Sequence, residues 1–313
     1  MKHIKYPKIH NHTKESFIYD MLSEYPHAIQ LSYIATEKLH GANFAVYLSC
    51  NGRDCYVDFA TRNRMLNPTS EFYGWQRLLK KESFDNFLYA ASKFIKQTGT
   101  SYVFYGELIG KKIQKGVDYG TDIDWRIFDI FSITNNTMLP PEQAIAFLEQ
   151  INMKNMYVPI IAITYGLREA LSINTEFPTK LNNIPGNICE GVVIKPYRTI
   201  LYNSRGEIFY IKKKNKNFME ISRKPSTKTV QDPDLAKYLS YANLNRIESA
   251  ESKIGRFQDH SQIPEFMKAI MSDIKEEIYE DMPEFRDLSK SEQKKILRAV
   301  SKEILKLLKS KLR

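Results

Sequence analysis

Two strand-like runs, joined by a short bend that carries a lysine, constrain the fold of this chain more than any other stretch. The runs Gln30–Ala35 and Phe44–Leu48 are rich in β-prone side chains, and an Asn-Gly turn signal follows the second. Between them lies K-L-H-G at residues 38–41. A lysine at such a bend presents its amine to the cleft that the strands line, although a motif this short also fits a surface lysine beside a turn.

Four more stretches carry charged side chains next to strand-like runs, and each supplies a group that chemistry on a phosphate needs. They are F-A-T-R ending at Arg62, Y-G-E ending at Glu107, E-G-V-V-I-K at 190–195, and K-K-K-N at 212–215. Arginine offers several fixed donors to a sugar or phosphate, and a carboxylate ending a buried strand is costly without partners. Solvated strand ends and internal ion pairs are the structural alternatives.

Strand periodicity sorts the later charged residues into faces. On a strand, Lys212 and Lys214 share one face and Lys213 faces away. Glu190 and Lys195 are five positions apart, so they point to opposite faces unless a bulge intervenes at the glycine that follows Glu190. The alternation favours Lys212 and Lys214 as a pair, although an exposed basic strand shows the same pattern.

Composition indicates a soluble, basic protein. The chain has 313 residues, 42% of them hydrophobic, and a formal net charge of +10, which favours an anionic partner such as nucleic acid. Cys50, Cys55 and Cys189 have no metal-ligand spacing, so we expect free thiols in a reducing compartment. No signal peptide and no run of about 18 apolar residues is found, so we expect a cytoplasmic protein without a membrane span.

The spacing of apolar residues predicts a mixed α and β part followed by a helical part. Helices are predicted at 71–98, 140–150, 167–171, 233–250, 263–281 and 289–311. A polar, proline-containing stretch near 222–233 predicts a linker between the two parts. The segment 110–120, with Lys111, Lys112 and Lys115, is predicted to be a mobile basic loop.

The order of these motifs resembles that of the covalent nucleotidyltransferases, which include ATP-dependent ligases and capping enzymes. K-x-H-G, F-x-x-R, Y-G-E, F-D-I, E-G-V-V-I-K and K-x-K-N follow one another in that order between Ile29 and Glu220. The chain is most similar to the phage RNA ligase 2 family, which seals nicks in duplex RNA. The histidine in K-L-H-G and the scarcity of strand signals after residue 222 both favour this family, since DNA ligases commonly have aspartate in that motif and a β-barrel in that place.

The resemblance implies an α+β fold. Residues 1–225 are expected to form a nucleotidyltransferase (ATP-grasp-like ligase) domain of antiparallel sheets with flanking helices, and 233–313 a small all-helical domain. It also implies ATP with Mg²⁺ or Mn²⁺ as cofactors and nicked duplex RNA as the partner of a monomeric enzyme. The basic helix at 289–311 is expected either to track RNA or to present a solvated face.

The resemblance also assigns chemical roles to individual residues. Lys38 is the nucleophile that takes AMP from ATP, and Lys212 and Lys214 neutralise the α-phosphate. Lys195 makes a further phosphate contact. His40 is a further catalytic residue, with a role after adenylylation. Because an amine attacks only when neutral and an ordinary lysine has a pKa of about 10.4, neighbouring cations such as Lys195 must favour the neutral form.

Further residues are expected to hold the nucleotide and the metal ion. Arg62, chosen over Arg64 by its place in the motif, and Glu107 hold the ribose. Phe128 stacks on adenine, with core packing as its alternative, and Glu190 holds the metal ion through water. The full set implied to contact ATP or AMP is Glu37, Lys38, Leu39, Asn43, Arg62, Glu107, Phe128, Glu190, Lys195, Lys212 and Lys214.

Two other functions compete with an RNA ligase. One is another covalent nucleotidyltransferase, either a DNA ligase or an mRNA capping enzyme that uses GTP. The other is a catalytically inactive RNA-binding protein, for which basic charge and aromatic residues would suffice. The presence of Lys38, both late lysines and both glutamates argues against the inactive protein, because binding alone does not need that set.

Overall fold

The computed structural model describes residues 1–52, 54–218, 233–282 and 284–312. They fall in two units, Met1–Asn215 and Lys216–Arg313, which are described separately below. The linker predicted near 222–233 lies outside the described residues except for its last position.

The first unit contains eleven strands and four α-helices among its described residues. The strands are β1 (His10–Asn11), β2 (Ser32–Lys38), β3 (Ala42–Asn51), β4 (Asp54–Thr61), β5 (Met65–Leu66), β6 (Tyr102–Ile109), β7 (Asp124–Ser132), β8 (Thr137–Met138), β9 (Ile160–Tyr165), β10 (Gly191–Pro196) and β11 (Ile211–Lys214). The helices are α1 (Glu15–Glu24), α2 (Glu82–Thr98), α3 (Pro141–Gln150) and α4 (Leu167–Ser172). The helix predicted at 71–98 begins instead as a 3₁₀ turn, Trp75–Lys80, because Lys81 is extended and separates the turn from α2.

The strands form two sheets, and the chain crosses from one to the other at the lysine-bearing bend. The first sheet has the order β1-β11-β10-β2-β9, and the second has the order β5-β4-β3-β6-β7-β8. All strand pairs are antiparallel except β1 with β11. The two strands on either side of residues 39–41 therefore belong to different sheets, and the predicted α+β fold with antiparallel sheets is confirmed.

Each sheet packs one face against helices, and the opposite face of the second sheet contributes to a further apolar cluster. In the first sheet, Tyr33, Val192 and Ile194 pack with α1 and α4 in one apolar cluster. In the second, Trp125 on β7 lies 5.4 Å from the ring of Phe87 on α2. Because neighbouring strand residues alternate between faces, Lys38 on β2 and Lys212 and Lys214 on β11 lie on the face of the first sheet that α1 and α4 leave open.

The second unit is helical throughout its described part. Its helices are α5 (Pro233–Leu239), α6 (Leu244–Ile254), α7 (Ile263–Asp281), α8 (Glu284–Asp287) and α9 (Lys290–Lys311). The predicted helix at 233–250 is divided in two because Asn243 caps α6, its side chain accepting a hydrogen bond from the backbone of Arg246. Ile274 on α7 and Ile304 on α9 are fully buried in the core. The predicted helical C-terminal domain is confirmed, and among the described residues no helix is long and apolar enough to cross a membrane.

The expectation of three free thiols is wrong for two of the cysteines. Cys50 on β3 lies directly opposite Cys55 on β4, with 4.0 Å between their Cα atoms, and a disulfide joins them. Cys189 is free and buried. The two cysteines flank the Asn-Gly turn, and the observed register, in which Asn51 pairs with Asp54, sets them opposite each other.

Candidate active site

The bend between the two sheets depends on a glycine that no other residue can replace. Lys38 is the last residue of β2, and β3 begins at Ala42. A side chain at Gly41 would lie 2.1 Å from the carbonyl oxygen of Leu108, so the close approach of the bend to β6 requires glycine. The backbone N–H of Gly41 donates to Oε1 of Glu107 at 3.1 Å. The bend is thereby fixed beside the second sheet.

Strand register in the first sheet places two lysines around one glutamate. Gly191 on β10 pairs with Lys38 on β2 and with Lys214 on β11. Its φ of +146° and the proximity of the Lys213 carbonyl oxygen, 2.1 Å from where a Cβ would lie, require glycine there as well. This backbone conformation turns the side chain of the preceding residue, Glu190, toward the lysines. The sequence predicts that a bulge at the glycine brings this about, but β10 pairs with both neighbouring strands without a bulge.

The carboxylate of Glu190 is the centre of a group that we call the Glu190 cluster: Lys38, His40, Glu190 and Lys214. The Nζ of Lys38 is 2.7 Å from Oε2, and the Nζ of Lys214 is 3.0 Å from Oε1. The Nδ1 of His40 is 3.4 Å from Oε2. The predicted nucleophile, one predicted phosphate ligand and the predicted metal ligand are therefore brought together by the structure.

Positive charge exceeds negative charge in the Glu190 cluster. Burial acts to raise the pKa of Glu190, but the charges of Lys38 and Lys214 outweigh it and hold this pKa well below its usual range. The side chains of Lys38 and Lys214 keep 19% and 11% of their surface accessible, against 4% for Glu190. Two accessible cations on one carboxylate can accept a further anion, such as a phosphate.

Polar side chains of the second sheet lie near the Glu190 cluster. Asn43 on β3 lies opposite Glu107 on β6, and the buried Oδ1 of Asn43 has no hydrogen-bond partner among the described residues. The pKa of Glu107 is raised to about 8, because the effect of burial exceeds the opposing effect of the positive charge on Lys38. Arg62 is half-buried and its charge acts on Glu107, whereas Arg64 is exposed, which supports the choice of Arg62.

Lys195 lies in a different group, which we call the Asp129 cluster: Tyr6, Asp129 and Lys195. Its Nζ donates to Oδ1 of Asp129 and to the carbonyl oxygen of Phe128, both at 2.8 Å. The hydroxyl of Tyr6 donates to Oδ2 of Asp129 at 2.6 Å. Burial lowers the pKa of Lys195 and raises that of Asp129. The amine predicted to contact a phosphate is thus engaged inside the protein.

Phe128 is the extra residue of a β-bulge. The pairing of β6 with β7 shifts so that Tyr105 lies opposite Asp129 and Gly106 opposite Ile127. Its half-buried ring meets the edge of the Tyr6 ring at 5.0 Å. The partial exposure of the ring fits both the predicted adenine contact and its alternative, core packing.

Glu37 and Leu39, which flank the nucleophile, are both buried. Oε1 of Glu37 accepts from the hydroxyl of Thr179 at 2.5 Å, and Oε2 accepts from the backbone N–H of Lys180 at 2.8 Å. Burial raises the pKa of Glu37 despite these bonds. The carboxylate of this predicted nucleotide ligand is therefore occupied by protein groups.

The faces predicted for β11 are those observed. Lys213 donates to the carbonyl oxygens of Leu171 and Ile173, at and just beyond the end of α4, at 2.8 Å each. Lys214 contacts Glu190 on the other side of the strand, and Lys212 shares that side by alternation. The period-two prediction of an outlying Lys213 is confirmed.

Tyr119 is a site residue that sequence reasoning missed. Its hydroxyl oxygen accepts the backbone N–H of His40 at 2.6 Å. Tyr119 lies in the segment predicted as a mobile basic loop, yet Ile113, Val117 and Tyr119 are buried there, while the lysines at 111, 112 and 115 are exposed. The apolar residues at 113 and 117 were the available signal that this segment packs on the protein.

The residues present fit a metal ion only together with a phosphate ligand. No group of three or more His, Cys, Asp or Glu side chains suited to a metal occurs in the described part of the chain. Mg²⁺ is commonly held by one or two carboxylates and by the phosphates of its substrate, so Glu190 alone is compatible with that arrangement. The orphaned Asn43 Oδ1 and the two lysines offer contacts to the nucleotide itself.

Comparison with known protein families gives two matches. The family model described as RNA ligase matches residues 31–214, more than half of the chain. The model described as T4 RNA ligase 2 C-terminal matches residues 226–306. RNA-editing ligase 1, mitochondrial, of Trypanosoma brucei brucei is 34% identical over 85 residues, which are 26% of this chain and 18% of that protein. The matched region thus spans less than a fifth of this relative's length.

Solved structures of a Naegleria gruberi RNA ligase have a similar fold. One, solved with PPi, is 20% identical with a TM-score of 0.50, covering 69% of this chain and 57% of that one. A variant solved with ATP and Mn has the same identity, TM-score and coverage. At this level of identity the similarity concerns the fold alone.

Proposed function

The chain belongs to the RNA ligase family, and we propose that it is an ATP-dependent RNA ligase that joins 3′-hydroxyl and 5′-phosphate ends at nicks in duplex RNA. The observation that carries this proposal is the Glu190 cluster, in which Lys38 and Lys214 lie 2.7 and 3.0 Å from one buried carboxylate. A neutral amine, a second cation and a carboxylate are the groups that transfer of a nucleotide to lysine needs.

In the proposed first step, Lys38 becomes adenylylated. Its ion pair with Glu190 opens and the amine loses a proton, after which Nζ attacks the α-phosphorus of ATP. A phosphorus–nitrogen bond forms, the bond to the β-phosphate oxygen breaks, and pyrophosphate leaves. Lys212 and Lys214 neutralise charge on the α-phosphate, which is the main service a protein gives to such a transfer.

In the second and third steps, AMP passes to RNA and then leaves. An oxygen of the RNA 5′-phosphate attacks the phosphorus of the lysyl-AMP, the phosphorus–nitrogen bond breaks, and Lys38 departs as an amine after its nitrogen takes up a proton from solvent. The 3′-hydroxyl of the adjoining strand then loses its proton and attacks the 5′-phosphorus of the RNA-adenylate. One phosphodiester bond forms, the pyrophosphate linkage breaks, and AMP is released. His40, which lies beside Glu190, is proposed to act in these later steps.

The nucleotide is proposed to bind between the sheets. Arg62, Glu107 and Asn43 would hold the ribose and its phosphate, and Phe128 the adenine, while Glu190 would hold Mg²⁺ or Mn²⁺ through water. When bound, the ion neutralises the charge that develops on the phosphates. The orphaned, buried Oδ1 of Asn43 supports this placement, because a buried acceptor without a donor is costly until a ligand supplies one.

The proposed partner is RNA, bound by a monomer in the cytoplasm. A net charge of +10 supports a polyanionic partner. The basic side chains of α9 support a contact between the helical unit and the RNA backbone; they are Lys290, Lys294, Lys295, Arg298, Lys302, Lys306, Lys309 and Lys311.

The proposal is tested by trapping the covalent intermediate. The protein is first treated with pyrophosphate to remove bound AMP, then incubated with Mg²⁺ and α-labelled ATP or GTP and run on a denaturing gel. We expect a labelled band with ATP that is lost in Lys38→Ala and kept in Lys213→Ala, since Lys213 faces away from the cluster. Sealing of nicked RNA and nicked DNA duplexes then identifies the strand that is joined.

Other outcomes separate the competing functions. A band with GTP alone would indicate a capping enzyme, and sealing of DNA but not RNA would indicate a DNA ligase. Label retained by Lys38→Ala would remove Lys38 as the nucleophile. No band with either nucleotide would overturn the enzyme in favour of an inactive RNA-binding protein.

A further inference from the structure

A closed series of hydrogen bonds surrounds the bend that carries Lys38, and it begins on the residue just before it. The carboxylate of Glu37 accepts from the hydroxyl of Thr179 at 2.5 Å. The backbone N–H of Thr179 in turn donates to the carbonyl oxygen of Asn187 at 2.9 Å. Glu37 and Thr179 are each only 2% exposed, so both bonds are shielded from competing water.

The series continues through Asn187 to the residue two positions after the nucleophile. The Oδ1 of Asn187 accepts the backbone N–H of Asp118 at 2.9 Å, and its Nδ2 donates to the carbonyl oxygen of the same residue. The next residue, Tyr119, accepts the backbone N–H of His40 at 2.6 Å. The segment 177–189 and the segment 110–123 are thus tied to each other and to the two sides of one bend.

We propose that this series, which we call the brace (Glu37, Thr179, Asn187, Asp118, Tyr119 and His40), is a positioning device that holds Lys38 for attack on the nucleotide. Tyr119 and Asn187 are its positioning residues, and neither was assigned a role by the motifs. A displacement of a reacting group by about 1 Å can cost about 10²-fold in rate, so fixing the backbone on both sides of a flexible lysine has a kinetic consequence. The inference rests on the proposed function, in which Lys38 is the nucleophile.

The proposed reaction sequence separates positioning of Lys38 from general stability. Formation of the lysyl-AMP requires the Lys38 amine to reach the α-phosphorus. Joining of RNA that already carries AMP on its 5′ end does not require Lys38 as a nucleophile. Loss of the brace should therefore slow the first reaction and leave the last, whereas a loosened fold would slow both.

The test compares two tyrosines that each lose one buried hydrogen bond on substitution. In Tyr119→Phe the N–H of His40 loses its acceptor. The matched control is Tyr33→Phe. It removes a hydroxyl that donates to the carbonyl oxygen of Ala28 at 2.6 Å and that lies on the face of β2 opposite to Lys38. We expect Tyr119→Phe to slow single-turnover adenylylation about 10- to 100-fold while pre-adenylated RNA is sealed as before. Tyr33→Phe should slow neither reaction.

A second variant tests whether the brace acts as a unit. Asn187→Ala breaks the series at its middle, so it should reproduce the selective defect, and adding Tyr119→Phe should produce little further loss. Melting temperatures of all variants show whether each is folded. Unchanged adenylylation in Tyr119→Phe, or equal losses in both reactions, would overturn the brace. If the unsubstituted protein forms no labelled adduct, the proposed function itself is overturned and this inference with it.

Discussion

The Glu190 cluster and the Asp129 cluster both pair a lysine with a buried carboxylate, yet they are built differently. Glu190 has two lysines and a histidine around it, and the lysines remain 19% and 11% accessible. Asp129 has one lysine, and the side chains of this pair are 1% and 0% accessible. The other carboxylate oxygen of Asp129 accepts a hydrogen bond from the hydroxyl of Tyr6.

The difference separates a site that can exchange partners from one that cannot. A carboxylate with surplus cations can release one of them to an incoming phosphate and stay neutralised. A single, fully enclosed pair would leave an unpaired charge in the interior if either member moved. We therefore propose that the chemistry belongs to the Glu190 cluster and that the Asp129 cluster supports Phe128. The predicted contact of Lys195 with a phosphate stays a prediction that requires its present bonds to Asp129 and Phe128 to open.

The largest effect on stability is expected from Lys195→Met, because it leaves the buried charge of Asp129 without its partner. Removing one member of a buried pair typically lowers the free energy of unfolding by about 3–5 kcal/mol. Urea denaturation measures this, and adding Asp129→Leu should restore much of the loss by removing the stranded charge. If Lys195→Met were as stable as the parent protein, the proposed difference between the two clusters would be contradicted.

Lys214→Met is expected to affect activity instead of stability. Glu190 keeps Lys38 and His40, so the melting temperature should stay close to that of the parent. Loss of one cation at the reacting phosphate should slow adenylylation about 10²- to 10³-fold. Single-turnover labelling gives the rate, and Lys213→Met on the opposite face is the control. A large fall in melting temperature with normal labelling would reverse the assignment of the two clusters.

Glu107→Gln should change how stability depends on pH. The pKa of Glu107 is raised from 4.5 to about 8 in the folded protein. Between these values the folded state holds a proton that the unfolded state has lost, so this group makes stability fall as pH rises. Relative to the parent, the variant should gain on the order of 2 kcal/mol between pH 5 and pH 8, allowing for solvent screening. If the free energies of unfolding of the variant and the parent changed by the same amount between pH 5 and pH 8, the raised pKa of Glu107 would be contradicted.

Tyr6→Phe is expected to have the smallest effect. The variant keeps the ring that packs against Phe128 but loses the hydrogen bond to Asp129. A single such bond contributes about 1–2 kcal/mol, so a modest loss in urea denaturation and near-normal labelling with ATP are expected. Labelling that falls as far as in Lys214→Met would place the Asp129 cluster in the chemistry after all.

Some features of the site were accessible from the sequence because they are local. Alternation along a strand separated Lys213 from its two neighbours, and the contacts of Lys213 with α4 and the residue just after it confirm this. Gly41 marks the bend in the sequence, although the close approach to β6 that requires glycine there is a tertiary contact. Motif order and element type likewise depend on residues that are neighbours in the chain.

Other features of the site cannot be predicted from the sequence because they depend on contacts between distant parts of the chain. Lys195 and Asp129 are 66 positions apart, and Tyr6 is 123 positions from its partner. Tyr119 lies in a segment whose three lysines indicate an exposed loop, yet its side chain is buried and bonded to the bend. The disulfide between Cys50 and Cys55 depends on a hairpin register that the number and spacing of the cysteines do not specify.

The sequence by itself determined the strands and helices, the bend with Lys38, and the face that each lysine of β11 takes, because periodicity and turn propensity act over a few residues. The tertiary structure alone decided which charges meet. Lys38 and Glu190 are 152 positions apart and become neighbours only because β2 and β10 pair in one register. Since a shift of one residue in that register would turn every side chain to the other face, the partners of a charged group are set by the packing of whole strands.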